Sequence, residues 1–341
     1  MSLSTARKRG QELLDEQPFT RIDAGLLLVL PGLLLFLAFM VFPIGYLIWI
    51  SFTDATHAGT VLSDESQFIG LENYYTLLSD GQFWNSLGIT WLFVAISLLF
   101  KIIVSISIAL VLTHSRVIGK RYMRAIILMP LGFPAIFMIT IWRGMFSGAR
   151  FGVFNQLLGT WNGFVHWIVA GIDTILFGIT VSAPEILMAD VPIGWLSERW
   201  MAFAAYATTE VWLAYPFMMI IIVSALQDVP DQLHDAAKVD GAGYLRRFVH
   251  VTLPSIKRPV VFASILTAAS SFQQFLLPWV FNRGGPSRQN ELLLVYGYRE
   301  ATNLQQYGMA SAIMVTAILF IGAFMLIAVK KTDIAEGVNN E

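Results

Sequence analysis

The chain has 341 residues, 56% of them hydrophobic and 13% charged, with a mean hydropathy of +0.65. That charged share is about half of what soluble domains carry, and together with long apolar runs it excludes a string of soluble domains in favour of one polytopic membrane bundle. Lys plus Arg (22) balances Asp plus Glu (23), which leaves no nucleic-acid footprint, and the lack of cysteine removes thiolate metal sites, iron–sulfur clusters and disulfides.

A membrane-spanning helix needs roughly 20 mostly apolar residues. In chain order, six runs qualify: 25–50, 87–112, 122–145, 201–226, 260–281 and 307–329. The first is too long for a signal-peptide core and no small-residue cleavage site follows it, so it reads as a retained span. Pro31, Pro43, Pro130 and Pro134 fall inside the first and third runs. Membrane helices tolerate such prolines where neighbours re-satisfy the freed carbonyls. The fold class is therefore all-α, a helical bundle of six core spans. Residues 25–330 form its membrane domain, flanked by an N-terminal tail (1–24) and a C-terminal tail (331–341).

Lys and Arg set the orientation. With the N-terminus cytoplasmic, the inside segments hold fifteen basic residues and the outer loops five. Both termini then lie in the cytoplasm. The run 164–181 is also apolar, but it contains His166 and Asp173. A span there would turn the five basic residues of 227–258 outward, so we expect an interfacial or re-entrant segment on the outer face. Trp195 and Trp200 read as an interfacial aromatic belt.

The chain carries no chemistry of its own. It has no phosphate-binding G-x-x-x-x-G-K-[ST] loop and none of H-E-x-x-H, G-x-S-x-G or G-x-G-x-x-G. Its five histidines never pair at metal-ligand spacing. No cofactor or metal site is expected in this chain, and it is expected not to be an enzyme. Transport or membrane scaffolding remain.

The loop 227–258 is the most informative segment. Asp228 ahead of Pro230, with Asp231 following, predicts an N-cap and an acidic first turn. Leu233, Ala236, Ala237 and Asp240 share one helical face. Gly241 is placed to end that helix at positive φ. A second short helix containing Leu245, Phe248 and Val249 follows, and Pro254 closes it. The pair lies at the cytoplasmic surface, where the two alanines let another surface approach closely.

The spacing here resembles the E-A-A-x3-G-x9-I-x-L-P pattern of the membrane subunits of binding-protein-dependent ABC importers. In this chain it reads Asp235-Ala236-Ala237, Gly241, then Val251-Thr252-Leu253-Pro254, with Asp for Glu and Val for Ile. Other segments are similar to the carbohydrate, MalF-type branch of that family. They are Ile69 to Tyr74 with Asp80 and Phe83-Trp84, Asn155 to Leu158 with Gly194-Trp195-Leu196, Gly284-Gly285-Pro286, and Tyr307 to Ala312. The stretch between Leu158 and Trp195 is longer than that family leads one to expect.

The resemblance implies a type I importer permease that forms a translocation path with a second, MalG-type permease subunit. A dimer of cytoplasmic ATP-binding subunits and an extracytoplasmic sugar-binding protein complete the assembly, embedded in membrane lipid. ATP would be bound by the partner subunits. The 228–254 helix pair would couple to the ATPase through Asp235, Ala236, Ala237, Asp240, Gly241, Ala242, Leu253 and Pro254. Asp235 would contact an Arg of the ATPase or of this loop.

Polar and aromatic residues inside spans mark the candidate substrate path. They are Lys101, Glu210, Trp212, Tyr215, Phe272, Gln273 and Gln274, with Lys101 open as a pore cation, a salt-bridge partner of Glu210 or a snorkelling side chain. Sugar or oligosaccharide is the expected cargo, with glycerol phosphate open. An ion-coupled secondary transporter using Glu210, the only acid within the spans, is the competing reading.

Overall fold

A computed structural model of the chain describes residues 21–56, 66–175 and 191–332. The described residues form helices and turns, with one isolated antiparallel bridge between Thr53 and Phe68. Residues 1–20 of the N-terminal tail, 333–341 of the C-terminal tail, and 176–181 of the ambiguous run lie outside them.

The chain enters through α1 (Arg21–Phe36) and α2 (Phe42–Ile50), joined without interruption by a π-helical turn at Leu37–Val41. Pro43 is the second residue after that turn. Proline lacks an N–H and crowds the carbonyl four residues back, and a wider turn relieves both problems. After α3 (Glu72–Ser79), the 33-residue α4 (Gly81–Thr113) crosses the bundle. It starts six residues earlier than the apolar run suggests, because the Asp80 side chain caps it by accepting from the Gln82 N–H at 2.9 Å.

The third run, expected as a single span, is not one helix. It breaks into α5 (Lys120–Ile127), a 3-10 turn (Met129–Gly132) and α6 (Ala135–Met145). Pro130 and Pro134 sit at the two joints, so here two prolines four residues apart overcome apolar continuity. The amphipathic α7 (Val153–Ile175) follows and then α8 (Arg199–Gln227). α7 is not among the helices long and apolar enough to cross a membrane.

After α9 (Asp231–Val239), three helical pieces run on without a break: α10 (Tyr244–Arg247), a π-helical turn (Phe248–Thr252) and α11 (Leu253–Phe272). The fifth span was expected to run 260–281, but α11 stops at Phe272. After a break at Gln273–Phe275 the chain resumes as α12 (Leu276–Asn282), bent by 42°. α13 (Leu293–Thr302) follows, and α14 (Tyr307–Lys331) is the last described helix.

Among the described residues, four helices are long and apolar enough to span a membrane. The bent pair makes a fifth if counted as one span. The core is α4 against α8, with α11 closing on both. Phe93, Tyr206, Phe281 and Leu292 fill it near one end, and Leu112, Met218, Ile222 and Ile256 fill it at the other end.

Several short sequence patterns prove to be packing joints. Asn73 donates to the carbonyls of Ser51 and Thr53, each at 2.9 Å, tying α3 to the end of α2. Gly308, at the start of α14, lies where a Cβ would come within 2.1 Å of the Thr53 carbonyl oxygen. Gly284 has φ +80°, and a Cβ there would strike Glu291 Cα at 2.7 Å.

Candidate functional site

Two regions hold the residues singled out in the sequence. The first is the segment after α8. Asp228 is not the N-cap of α9, as the sequence suggested. It caps the C-terminus of α8, donating its N–H to the Ser224 carbonyl, and Pro230 occupies the N-cap position. The residue before a proline avoids the helical region, so Val229 has to separate the two helices.

The other end of α9 forms as expected. Gly241 adopts φ +77°, its N–H donates to the Lys238 carbonyl at 3.0 Å, and the Ala242 N–H donates to the Ala237 carbonyl at 2.9 Å. This pair of bonds is the Schellman arrangement, which satisfies carbonyls that the helix end would leave orphaned. Asp240 is the C-cap.

Asp235 is exposed and pairs with Lys238 at 2.7 Å. Its partner within the loop is thus a lysine one turn on, not an arginine. The hydrogen bond and charge of Lys238 hold the Asp235 carboxyl below the ordinary aspartate range. Ala236 and Gly241 are exposed and Ala237 and Ala242 half-buried. Around them Val239, Tyr244 and Leu245 are 88%, 62% and 73% exposed. Small residues ringed by uncovered apolar side chains at one end of a bundle make a surface suited to a protein partner.

Pro254 does not close the second helix. It is the second residue of α11, and the π turn ending at Thr252 absorbs it as the earlier one absorbs Pro43. Leu253 and Pro254 are therefore part of a continuous helical path from Tyr244 to Phe272. A cavity of about 590 Å³ separates this segment from the end of α4, between Thr113, His114, Asp231, His234, Arg247 and Thr252.

The second region lies at the bend after α11. Lys101 of α4, fully buried, donates to Glu210 Oε1 of α8 at 2.6 Å and to Ser271 Oγ of α11 at 2.7 Å. Ser271 also donates to Glu210 Oε1 at 3.2 Å, and Gln274 donates to Glu210 Oε2 at 2.7 Å. Three helices thus meet in one closed polar cluster beside the break. Burying an ion pair is costly, and the extra hydrogen bonds offset that cost by satisfying the remaining lone pairs and protons.

The other path candidates are not in this cluster. Phe272 is buried against Trp91, 5.0 Å between centroids. Trp212 is half-buried and meets Trp142 at 5.5 Å. Tyr215 is buried, and its hydroxyl donates to the Ile127 carbonyl at 2.8 Å. Gln273, in the break itself, is exposed. Ser271 was missed, because a serine among apolar helix residues reads as packing in a single sequence.

The expected aromatic belt holds only in part. Trp200 is 59% exposed. Trp195 instead packs at 5.6 Å from Phe146 and donates to Asn155 Oδ1 at 3.1 Å. Asn155 also donates to the carbonyls of Ser147, Ala149 and Ile193, each at 3.2 Å. One buried amide therefore ties both ends of the long stretch between Leu158 and Trp195.

Comparison with known proteins decides the family. Residues 105–330 match the model of the binding-protein-dependent transport system inner membrane component. The chain belongs to this family. It is accordingly a multi-pass inner-membrane transport component. Among its relatives, the trehalose/maltose transport system permease protein MalF of Thermococcus litoralis is 30% identical over 90% of this chain and 92% of that protein. The diacetylchitobiose uptake system permease protein DasB of Streptomyces coelicolor is 31% identical over 75% and 70%. The chain spans under half, 44%, of the length of the Vibrio cholerae MalF protein that it also matches. The fold aligns with a bacterial ABC transporter involved in the import of alginate at a TM-score of 0.65 and 18% identity, covering 97% of this chain and 98% of that one. Nothing in these matches supports an ion-coupled transporter, and Glu210 is already committed to Lys101.

Proposed function

We propose that this membrane component is the permease subunit of an ATP-driven importer of a sugar or oligosaccharide, coupled to its ATPase through residues 228–254. The continuous helical path from Tyr244 to Phe272 carries this reading. A push or pull on α9 and α10 reaches the bend at Gln273–Phe275 through rigid helix, and the polar cluster sits at that bend. The exposed Ala236, Asp240 and Gly241, with the half-buried Ala237 and Ala242, form the docking face. Asp235 adds a charge, and Leu253 and Pro254 begin the lever. Closure of the ATPase subunits on ATP would move the lever and alternate the access of the path. Reciprocity then requires a docked, loaded binding protein to favour ATPase closure.

The cargo path runs past Gln273 and Gln274. In the conformation described, Lys101, Glu210, Phe272 and Tyr215 frame it from buried positions, and Trp212 from a half-buried one. The chain needs no cofactor of its own, and without a phosphate-binding loop it leaves ATP to the partner subunits. Residues 25–330 act as the transport unit, with both termini cytoplasmic. Sugar cargo is supported by the substrates named for the relatives.

Purification of the chain from its native membrane in gentle detergent, with identification of every co-purifying protein, tests the reading. A P-loop ATPase, a second permease and a binding protein that sugars stabilise thermally are expected. Isolation of the chain alone, under conditions that preserve a control ABC complex, contradicts it.

A further inference from the structure

A groove of about 550 Å³ runs between α4 and α8, lined by Leu92, Ile96 and Phe100 on one side and by Phe203, Ala204 and Val211 on the other. Its wall on α4 continues to Val104. From Leu92 to Val104 the helix rises ~18 Å at ~1.5 Å per residue. That is close to one leaflet of a hydrocarbon core about 30 Å thick. The lining is almost wholly apolar, so it offers a sugar nothing to hydrogen-bond, but it matches an acyl chain.

One end of the groove is different. Asn85 lies two helical turns before Leu92 on the same face of α4, and Arg199 precedes Trp200 at the start of α8. Both are at the end of the bundle opposite the 228–254 segment. The Arg199 guanidinium lies 4.9 Å over the Trp200 ring and donates through Nη2 to Asn85 Oδ1 at 3.4 Å. Arg199 forms no ion pair among the described residues, and its Nε is buried without a hydrogen-bond partner. An arginine with no ion pair among the described residues, beside a tryptophan that lines an acyl-sized groove, has the donor set for a phosphate.

We infer that this groove is a phospholipid site. An acyl chain occupies the apolar channel between α4 and α8, and an anionic head group sits on Arg199. The charge complementarity at the mouth selects a lipid over a neighbouring apolar helix. The site is separate from the cargo path and from the coupling segment.

The complete importer, delipidated in detergent, tests this by thermal unfolding with added phosphatidylglycerol, phosphatidylcholine or inorganic phosphate. Phosphatidylglycerol is expected to raise the midpoint several degrees more than phosphatidylcholine, with no effect of inorganic phosphate. Arg199→Gln should erase the difference between the two lipids, and Ala204→Trp, which fills the channel, should erase the response to both. Equal responses to the two lipids in the wild type overturn the inference. So does a phosphatidylglycerol excess that survives Arg199→Gln, or a partner subunit's helix found seated in the groove. Should Ala204→Trp fail to assemble, Arg199→Gln still decides, because it leaves the apolar packing intact.

Discussion

Replacing Lys101 by Met removes the cation from a site where Glu210 is 3% exposed. The Glu210 carboxylate then keeps only the Ser271 hydroxyl at 3.2 Å and the Gln274 amide at 2.7 Å. Stripping one partner from a buried ion pair costs about 3–5 kcal/mol, since the remaining charge stays desolvated without its counter-ion. Glu210→Gln strands Lys101 in the same way and should cost a similar amount. The double variant Lys101→Met, Glu210→Gln buries no charge, and its loss should fall well below the sum of the singles. A double-mutant cycle isolates the difference as the coupling energy. Unfolding of the purified protein by a titrated denaturing detergent measures it. Single losses under about 1 kcal/mol that simply add would refute the closed cluster, because a solvated surface pair behaves that way.

Other outcomes follow from single joints. Gly308→Ala should lower the detergent midpoint in the same assay, because its Cβ meets a backbone oxygen that cannot rotate away. Unchanged stability would mean that α14 does not pack on residues 51–56 as described. Burial holds the Glu300 carboxyl above its ordinary range despite Arg288 nearby. The folded state therefore keeps its proton to higher pH than the unfolded state. This group's contribution is most favourable at low pH and is lost as pH rises through the raised value. The wild type should gain stability relative to Glu300→Gln as pH falls through that window, and a parallel pH profile would contradict it. Asn155→Ala should free both ends of the stretch between Leu158 and Trp195, seen as faster proteolysis there with the rest of the chain intact.

The spans α4, α8 and α14 were legible because each is one unbroken apolar run, and the turn at Gly241 was legible because only glycine fits its backbone cheaply. The break of the third span was not. Pro31, Pro216 and Pro259 sit inside continuous helices, while Pro130 and Pro134 end them, and sequence alone does not say which neighbours re-satisfy the backbone. The continuity of α10 with α11 was hidden for the same reason, since Pro254 reads as a stop until the π turn before it is seen. Lys101 and Glu210 were each visible as intramembrane charges. A salt bridge between them was among the readings the sequence left open, while its completion by Ser271 and Gln274 depends on three helices whose register no single run encodes.

Most directly at stake is the transmission of ATPase motion through residues 228–254. The measurement is sugar uptake and binding-protein-stimulated ATP hydrolysis by the complete importer in proteoliposomes, wild type against Gly241→Trp. The substituted site has open space around its Cβ but a φ of +77°. A left-handed conformation costs a non-glycine residue roughly 1–2 kcal/mol, so the membrane bundle should insert and fold while the docking face is distorted and obstructed. The account predicts that uptake and stimulated hydrolysis are both abolished in a protein that still inserts. Wild-type uptake by Gly241→Trp would contradict it.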